Sequence, residues 1–161
     1  MTPMTAQSQP YPGDGATAQE LFRLAEEYRR AADMLIGIGR PRQPFSRAPY
    51  RLTAIHAIEL YLNALLLFEG MRPCDLRKLQ HDLAARIDHE FAASVVLRSK
   101  TAKHLAALSK KREYLVSRYG TDQMNTVSQI NRLQATLGLT CASPCSSDYG
   151  HKVRRSTKPT G

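Results

Sequence analysis

Residues 50–68 read Y-R-L-T-A-I-H-A-I-E-L-Y-L-N-A-L-L-L-F. Leu52, Ile55, Ile58, Leu62, Leu65 and Leu66 spread apolar side chains around nearly the whole circumference of a helix. A helix of that kind belongs in the middle of a bundle, where neighbours cover every side. The polar exceptions are Thr53, His56, Glu59 and Asn63. They fall within about 120 degrees of one another on a helical wheel, so the helix keeps one polar stripe. Leu52 to Phe68 has the length of a short membrane span, but His56, Glu59 and Asn63 inside it argue for a core helix. The stripe reads either as the one wet edge of the helix or as a partly buried set. In the second case Glu59, costly as an isolated buried carboxylate, is paired, and the inward candidates are Arg112 and His81.

Working outward, this helix spans about Ala48 to Phe68 and stops at Gly70. Upstream, Thr17 and Glu20 form the T-x-x-E capping box that starts a first helix. Its apolar positions are Leu21, Leu24, Ala25, Tyr28, Ala32 and Leu35, and Gly37, Gly39 and Pro41 end it. Pro44 and Pro49 stiffen the connection. Downstream, M-R-P-C-D-L-R-K-L-Q-H-D-L-A-A-R-I (71–87) reads as a loop, a short turn and a third helix entered near His81 and Asp82. Asp82 suits the N-cap of that helix, with His81 packing nearby. Its apolar face is Leu83, Ile87, Phe91 and Val95.

A fourth helix is predicted from Ser99 to about Arg118, with Leu105, Leu108, Leu115 and Tyr119 inward and Arg112 on the same face. A fifth, from about Asp122 to Leu137, buries Met124, Val127, Ile130 and Leu137 and ends at Gly138. No segment alternates with period two and no hairpin signal occurs. The fold class expected is all-α, an up-and-down antiparallel four- to five-helix bundle over residues 17–138. Residues 1–16 and the basic tail 139–161, with Lys152, Arg154, Arg155 and Lys158, read as disordered.

The chain has 161 residues and a net charge of +9, from 23 Lys plus Arg against 14 acids. That balance favours polyanionic partners such as RNA, although a basic solvated surface also serves solubility alone. Cys74, Cys141 and Cys145 form no even-numbered disulfide framework, and Cys141, Cys145 and His151 lack a fourth matched zinc ligand. The N-terminus has no basic start followed by an apolar core. A cytoplasmic protein without membrane association, metal or cofactor is therefore expected. P-loop, G-x-G-x-x-G and H-E-x-x-H patterns are absent.

Three segments then carry a family resemblance. A-I-E-L-Y-L-N-A-L-L-L-F-E-G (57–70) is followed by L-R-K-L-Q-H-D-L (76–83) and by R-E-Y-L-V-S-R-Y-G (112–120). In order and spacing they resemble the HEPN family, over roughly Ala18 to Leu137. The resemblance implies a helical bundle that dimerises. Many members are metal-independent ribonucleases of toxin or defence systems, often paired with a nucleotidyltransferase partner, and others are noncatalytic binding modules.

Catalytic members share R-x(4–6)-H, which suits attack by the RNA 2′-hydroxyl: histidine moves the proton and arginine stabilises phosphorane charge. No histidine follows Arg112 at that spacing. Literal matches occur at Arg51–His56 and Arg98–His104, where chance alone supplies roughly one or two. Arg98 and His104 are the better placed candidate pair, and Arg112, Arg118 and Tyr119 form a variant candidate site. Lys100, Lys103, Lys110, Lys111, Arg112 and Arg118 make a basic face on helix four, with Tyr114 or Tyr119 available to stack on bases. The leading expectation is a homodimeric HEPN-like module binding RNA or a protein partner, with Glu59, His81 and Asp82 structural or at an interface. The alternative is a metal-independent endoribonuclease.

Overall fold

The computed structural model describes residues 10–88 and 97–141. Regular structure among them is all helical: α1 Ala18–Ile36, a 3-10 turn Pro44–Arg47, α2 Ala48–Phe68, α3 Pro73–Lys78, α4 Leu83–Ile87, α5 Ser99–Lys110, α6 Glu113–Tyr119 and α7 Ile130–Cys141. The all-α expectation holds for these residues.

Both long helices begin and end on local signals. The Thr17 hydroxyl accepts from the Glu20 N–H at 3.2 Å while the Glu20 carboxylate accepts from the Thr17 N–H at 2.8 Å, so the capping box forms in full. After α2, Gly70 sits at φ +102°, and the N–H groups of Gly70 and Met71 donate to the carbonyls of Leu67 and Leu66. A left-handed residue at this place satisfies the last carbonyls of the helix, and glycine adopts it without a Cβ clash.

α2 is the central element, packed against α1, α3, α4, α6 and α7. The stretch Pro44–Phe68 is long and apolar enough to cross a membrane, yet 67% of its most apolar window is buried within the protein. On α1 the buried residues are Ala25 and Ala32. These small side chains let α1 approach α2 closely. Leu24 and Tyr28, counted among the apolar positions of α1, are 44% and 37% exposed.

Two expectations for the second half fail. The fourth helix is not continuous: α5 stops at Lys110, Arg112 takes a left-handed conformation at φ 50°, and α6 starts at Glu113. The break rotates the helical phase, so Arg112 is exposed and its neighbour Glu113 is fully buried. Tyr119, also expected inward, is 75% exposed. The fifth helix begins at Ile130 instead of near Asp122, and Gly138 lies within it. Residues before α7 have other engagements, since the Ser128 N–H donates to Glu113 at 2.7 Å. Asp82 caps α4 by accepting from the Ala85 N–H, while Phe91 and Val95 lie outside the described residues.

Candidate functional site

Glu59 points from α2 toward the loop between α3 and α4 and is 8% exposed. Its main partner is Arg86 of α4, itself 2% exposed, whose Nη2 donates to Glu59 Oε1 at 3.2 Å. The same guanidinium donates from Nε to Asn63 at 2.7 Å, from Nη1 to the Asp82 carbonyl at 2.9 Å, and from Nη2 to the Gln80 carbonyl. One buried fork thus ties two polar residues of the α2 stripe to the loop 80–82. Burial pulls the Arg86 pKa below its ordinary value, and Glu59 and Asp82 partly offset that. Gln80 is held left-handed at φ 47°. Such a conformation is costly for a residue with a Cβ and persists only where the surroundings impose it.

The loop delivers His81 to the carboxylate, with Nδ1 3.0 Å from Glu59 Oε2. The His81 side chain is 44% exposed, so this corner of the network opens outward. Arg112, the other expected partner of Glu59, is exposed at the α5–α6 break, and Arg86 occupies the role assigned to it.

Above Glu59, His81 and Arg86 lies a cleft of about 420 Å³, also walled by Leu21, Asn63, Leu67, Leu76, Arg77 and Gln80. Tyr11, Pro12, Gly13 and Asp14 cross its rim. Residues 10–16 fall in the segment expected to be disordered, yet Tyr11 to Asp14 form a turn, with Gly13 at φ +94°. Arg77 Nη1 donates to both Asp14 oxygens at 3.1 and 3.2 Å, and its guanidinium lies 4.5 Å from the Tyr11 ring centre. The ion pair is 43% and 40% exposed. An exposed pair contributes roughly 0.2–1 kcal/mol, so the strap is lightly held.

Next to His81 runs an aromatic and basic face. The His81 and Tyr114 rings lie 4.3 Å apart, and Arg118 sits 5.9 Å from the Tyr114 ring centre. Tyr28 meets His56 edge-on at 4.4 Å. Burial lowers the His56 pKa, opposed by Glu59 and assisted by Arg118 and His81. Farther along α6, Lys111, Arg112, Leu115, Tyr119 and Asp122 surround a shallow depression of about 360 Å³. Two residues of the variant candidate site, Arg112 and Tyr119, therefore share one surface, with exposed Arg118 on the same short helix.

The pair Arg98 and His104 is divided between surface and core. Arg98 is exposed at the start of α5, where its carbonyl accepts from Thr101 and Ala102. His104 is 1% exposed, with Nδ1 2.7 Å from the Thr136 hydroxyl and Nε2 buried without a hydrogen-bond partner. Burial, reinforced by Arg132, Arg51 and Lys111, pushes its pKa down to about 4. A histidine so enclosed meets no polymer in solution, which counts against its assignment as a proton-transfer group.

Arg51, from the other literal match, is 6% exposed and pairs with Glu113 at 3.5 Å. Glu113 is fully buried and accepts from the Ser128 N–H at 2.7 Å and hydroxyl at 2.9 Å, while Arg51 donates to the Ser128 carbonyl. Burial lowers the Arg51 pKa, and Glu113 opposes that.

No family model matches the sequence, no curated protein matches it, and no solved structure matches it. Among the described residues no group of three or more His, Cys, Asp or Glu side chains is placed to hold a metal ion. Cys145 and His151 lie outside the described residues. Sequence reasoning missed Arg86, Glu113 and Asp14, and it noticed Arg51 only as part of the Arg51–His56 match, not as the buried partner of Glu113. Arg86 had one visible signal: it stands between Leu83 and Ile87 on the apolar side of a short helix.

Proposed function

We propose that this chain is a HEPN-like module, an up-and-down antiparallel bundle acting as a homodimer, that binds single-stranded RNA through the face around Tyr119. The observation that carries the proposal is Tyr119 itself, 75% exposed beside Lys111 and Arg112 at a shallow depression. A large aromatic ring left in water among cations is the arrangement that single-stranded nucleic acid uses: bases stack on the ring while phosphates meet the charges. Arg118 over Tyr114 extends the same chemistry along α6. The net charge of +9 supplies long-range attraction.

The ribonuclease alternative draws no support from Arg98 and His104, because the histidine is enclosed. The test is fluorescence anisotropy with a labelled single-stranded RNA in EDTA. Binding is expected to weaken steeply with salt, and Tyr119→Ala to weaken it by about ten- to a hundredfold at unchanged stability. Absence of binding at low salt would refute the proposal. Cleavage leaving 2′,3′-cyclic phosphate ends would replace it with the ribonuclease.

A further inference from the structure

The cleft over Glu59 shares no lining residue with the depression at Tyr119. Its volume of about 420 Å³ falls in the range of small-molecule sites. We infer that it binds a small carboxylate carried on an apolar or aromatic body, which enters by taking the place of Asp14 on Arg77.

Charge decides the ligand class. Of the ionised groups lining the cleft, Glu59 is compensated by Arg86 and Asp14 by Arg77. The first pair is buried and built into the fold, whereas the second joins a rim turn to a surface side chain. When the strap lifts, Arg77 is the cation left without a counter-charge, and an anion is what restores balance. The strap also displays the chemistry that suits this rim: one guanidinium holds both oxygens of a carboxylate and lies against an aromatic ring. Guanidinium groups match carboxylates in charge and planar geometry and stack on aromatic faces.

The interior is prepared for the remainder of such a molecule. Leu21, Leu67 and Leu76 provide apolar wall. Glu59 engages Nδ1 of His81, and His81 Nε2 makes no hydrogen bond among the described residues. A carboxylate that engages one ring nitrogen orients the imidazole and leaves the other available to a ligand. The loop bearing it is held by the Arg86 fork with Gln80 left-handed. Strain kept in place beside a cavity is a mark of a preorganised site.

The test uses the full chain, phenylacetate as the probe and its neutral isostere phenylacetamide as the control, read by methyl NMR of Leu21, Leu67 and Leu76. Phenylacetate is expected to shift these methyls and phenylacetamide to leave them in place. Asp14→Asn removes the competing carboxylate and should tighten phenylacetate binding about two- to fivefold. Arg77→Gln should weaken it more than about tenfold. Both positions are exposed, so the fold tolerates the changes. Methyls unmoved by millimolar phenylacetate in the Asp14→Asn chain, equal binding of the amide, or weaker binding by Asp14→Asn would each overturn the inference. RNA binding enters none of these readouts, so this site and the Tyr119 face stand or fall separately.

Discussion

Glu59 and Glu113 are two carboxylates buried in one small helical protein, at 8% and 0% exposure, and each is paired with a buried arginine. Around Glu113 the set is closed: a backbone N–H and a hydroxyl from Ser128 take its oxygens, and Arg51 lies 3.5 Å away. Around Glu59 the set is open on one side, because its second partner, His81, is 44% exposed and lines a cleft. Burial alone therefore does not separate a structural acid from one serving a site. What separates them is whether a partner can be reached by a third molecule: Arg51 Nη1 lacks a hydrogen bond but is buried, whereas His81 faces the cleft.

The largest effect expected from breaking that contrast is at the closed end. Glu113→Ala leaves Arg51 buried without its counter-charge and the Ser128 N–H without its acceptor, and should cost about 3–5 kcal/mol in urea unfolding. A loss below about 1 kcal/mol would mean that water reaches the cluster and that the contrast is false.

At the open end, Arg86→Leu removes several hydrogen bonds but leaves Glu59 next to a cleft that water can enter. The expected loss is about 2–3 kcal/mol, smaller than for Glu113→Ala by the same measurement. A loss larger than that of Glu113→Ala would reverse the ranking.

Acidification probes the closed side, where burial, reinforced by Arg132 and Arg51, holds His104 near pKa 4. The unfolded histidine titrates near 6.5, so between these values the unfolded state binds the extra proton. Stability from keeping His104 neutral is complete above about pH 6.5 and lost as pH falls toward 4, roughly 3 kcal/mol in all. Urea midpoints across that window should fall more steeply in the native chain than in His104→Gln. Parallel slopes would exclude His104 as the source.

The smallest effect is a control in α7, which contributes no hydrogen bond to either carboxylate. Gly138 lies inside this helix, and a Cβ there meets nothing within 4 Å. Gly138→Ala should raise stability by about 0.5–1 kcal/mol, read as a higher Tm, and a decrease would show crowding that the structure does not contain.

Legibility from sequence follows the range of the interactions involved. Thr17 with Glu20 and the glycine at 70 act on backbone groups a few residues away, so α1 and α2 were readable with their ends. Glu59 and His81 stood out because a carboxylate in an apolar helix demands a partner. Arg112 misled, since its place on the face of Leu105 and Tyr119 holds only while the helix is unbroken, and nothing in S-K-K-R-E announces a left-handed arginine. The start of α7 misled for a related reason: the residues before it serve Glu113.

Pattern and composition alone are enough for an all-helical fold with α2 at its centre, a basic net charge, and an acid that needs a partner if it is buried. Packing of the helices is what buries Glu59 against Arg86, 27 residues away, puts Glu113 inside where Arg112 was expected, and brings Arg51 to Ser128 across 77 residues. The physical reason is that apolar patterning and caps are local and repeat at helical spacing. The partner of a buried charge is whichever complementary group the packed helices bring within about 3 Å, and sequence separation does not limit it.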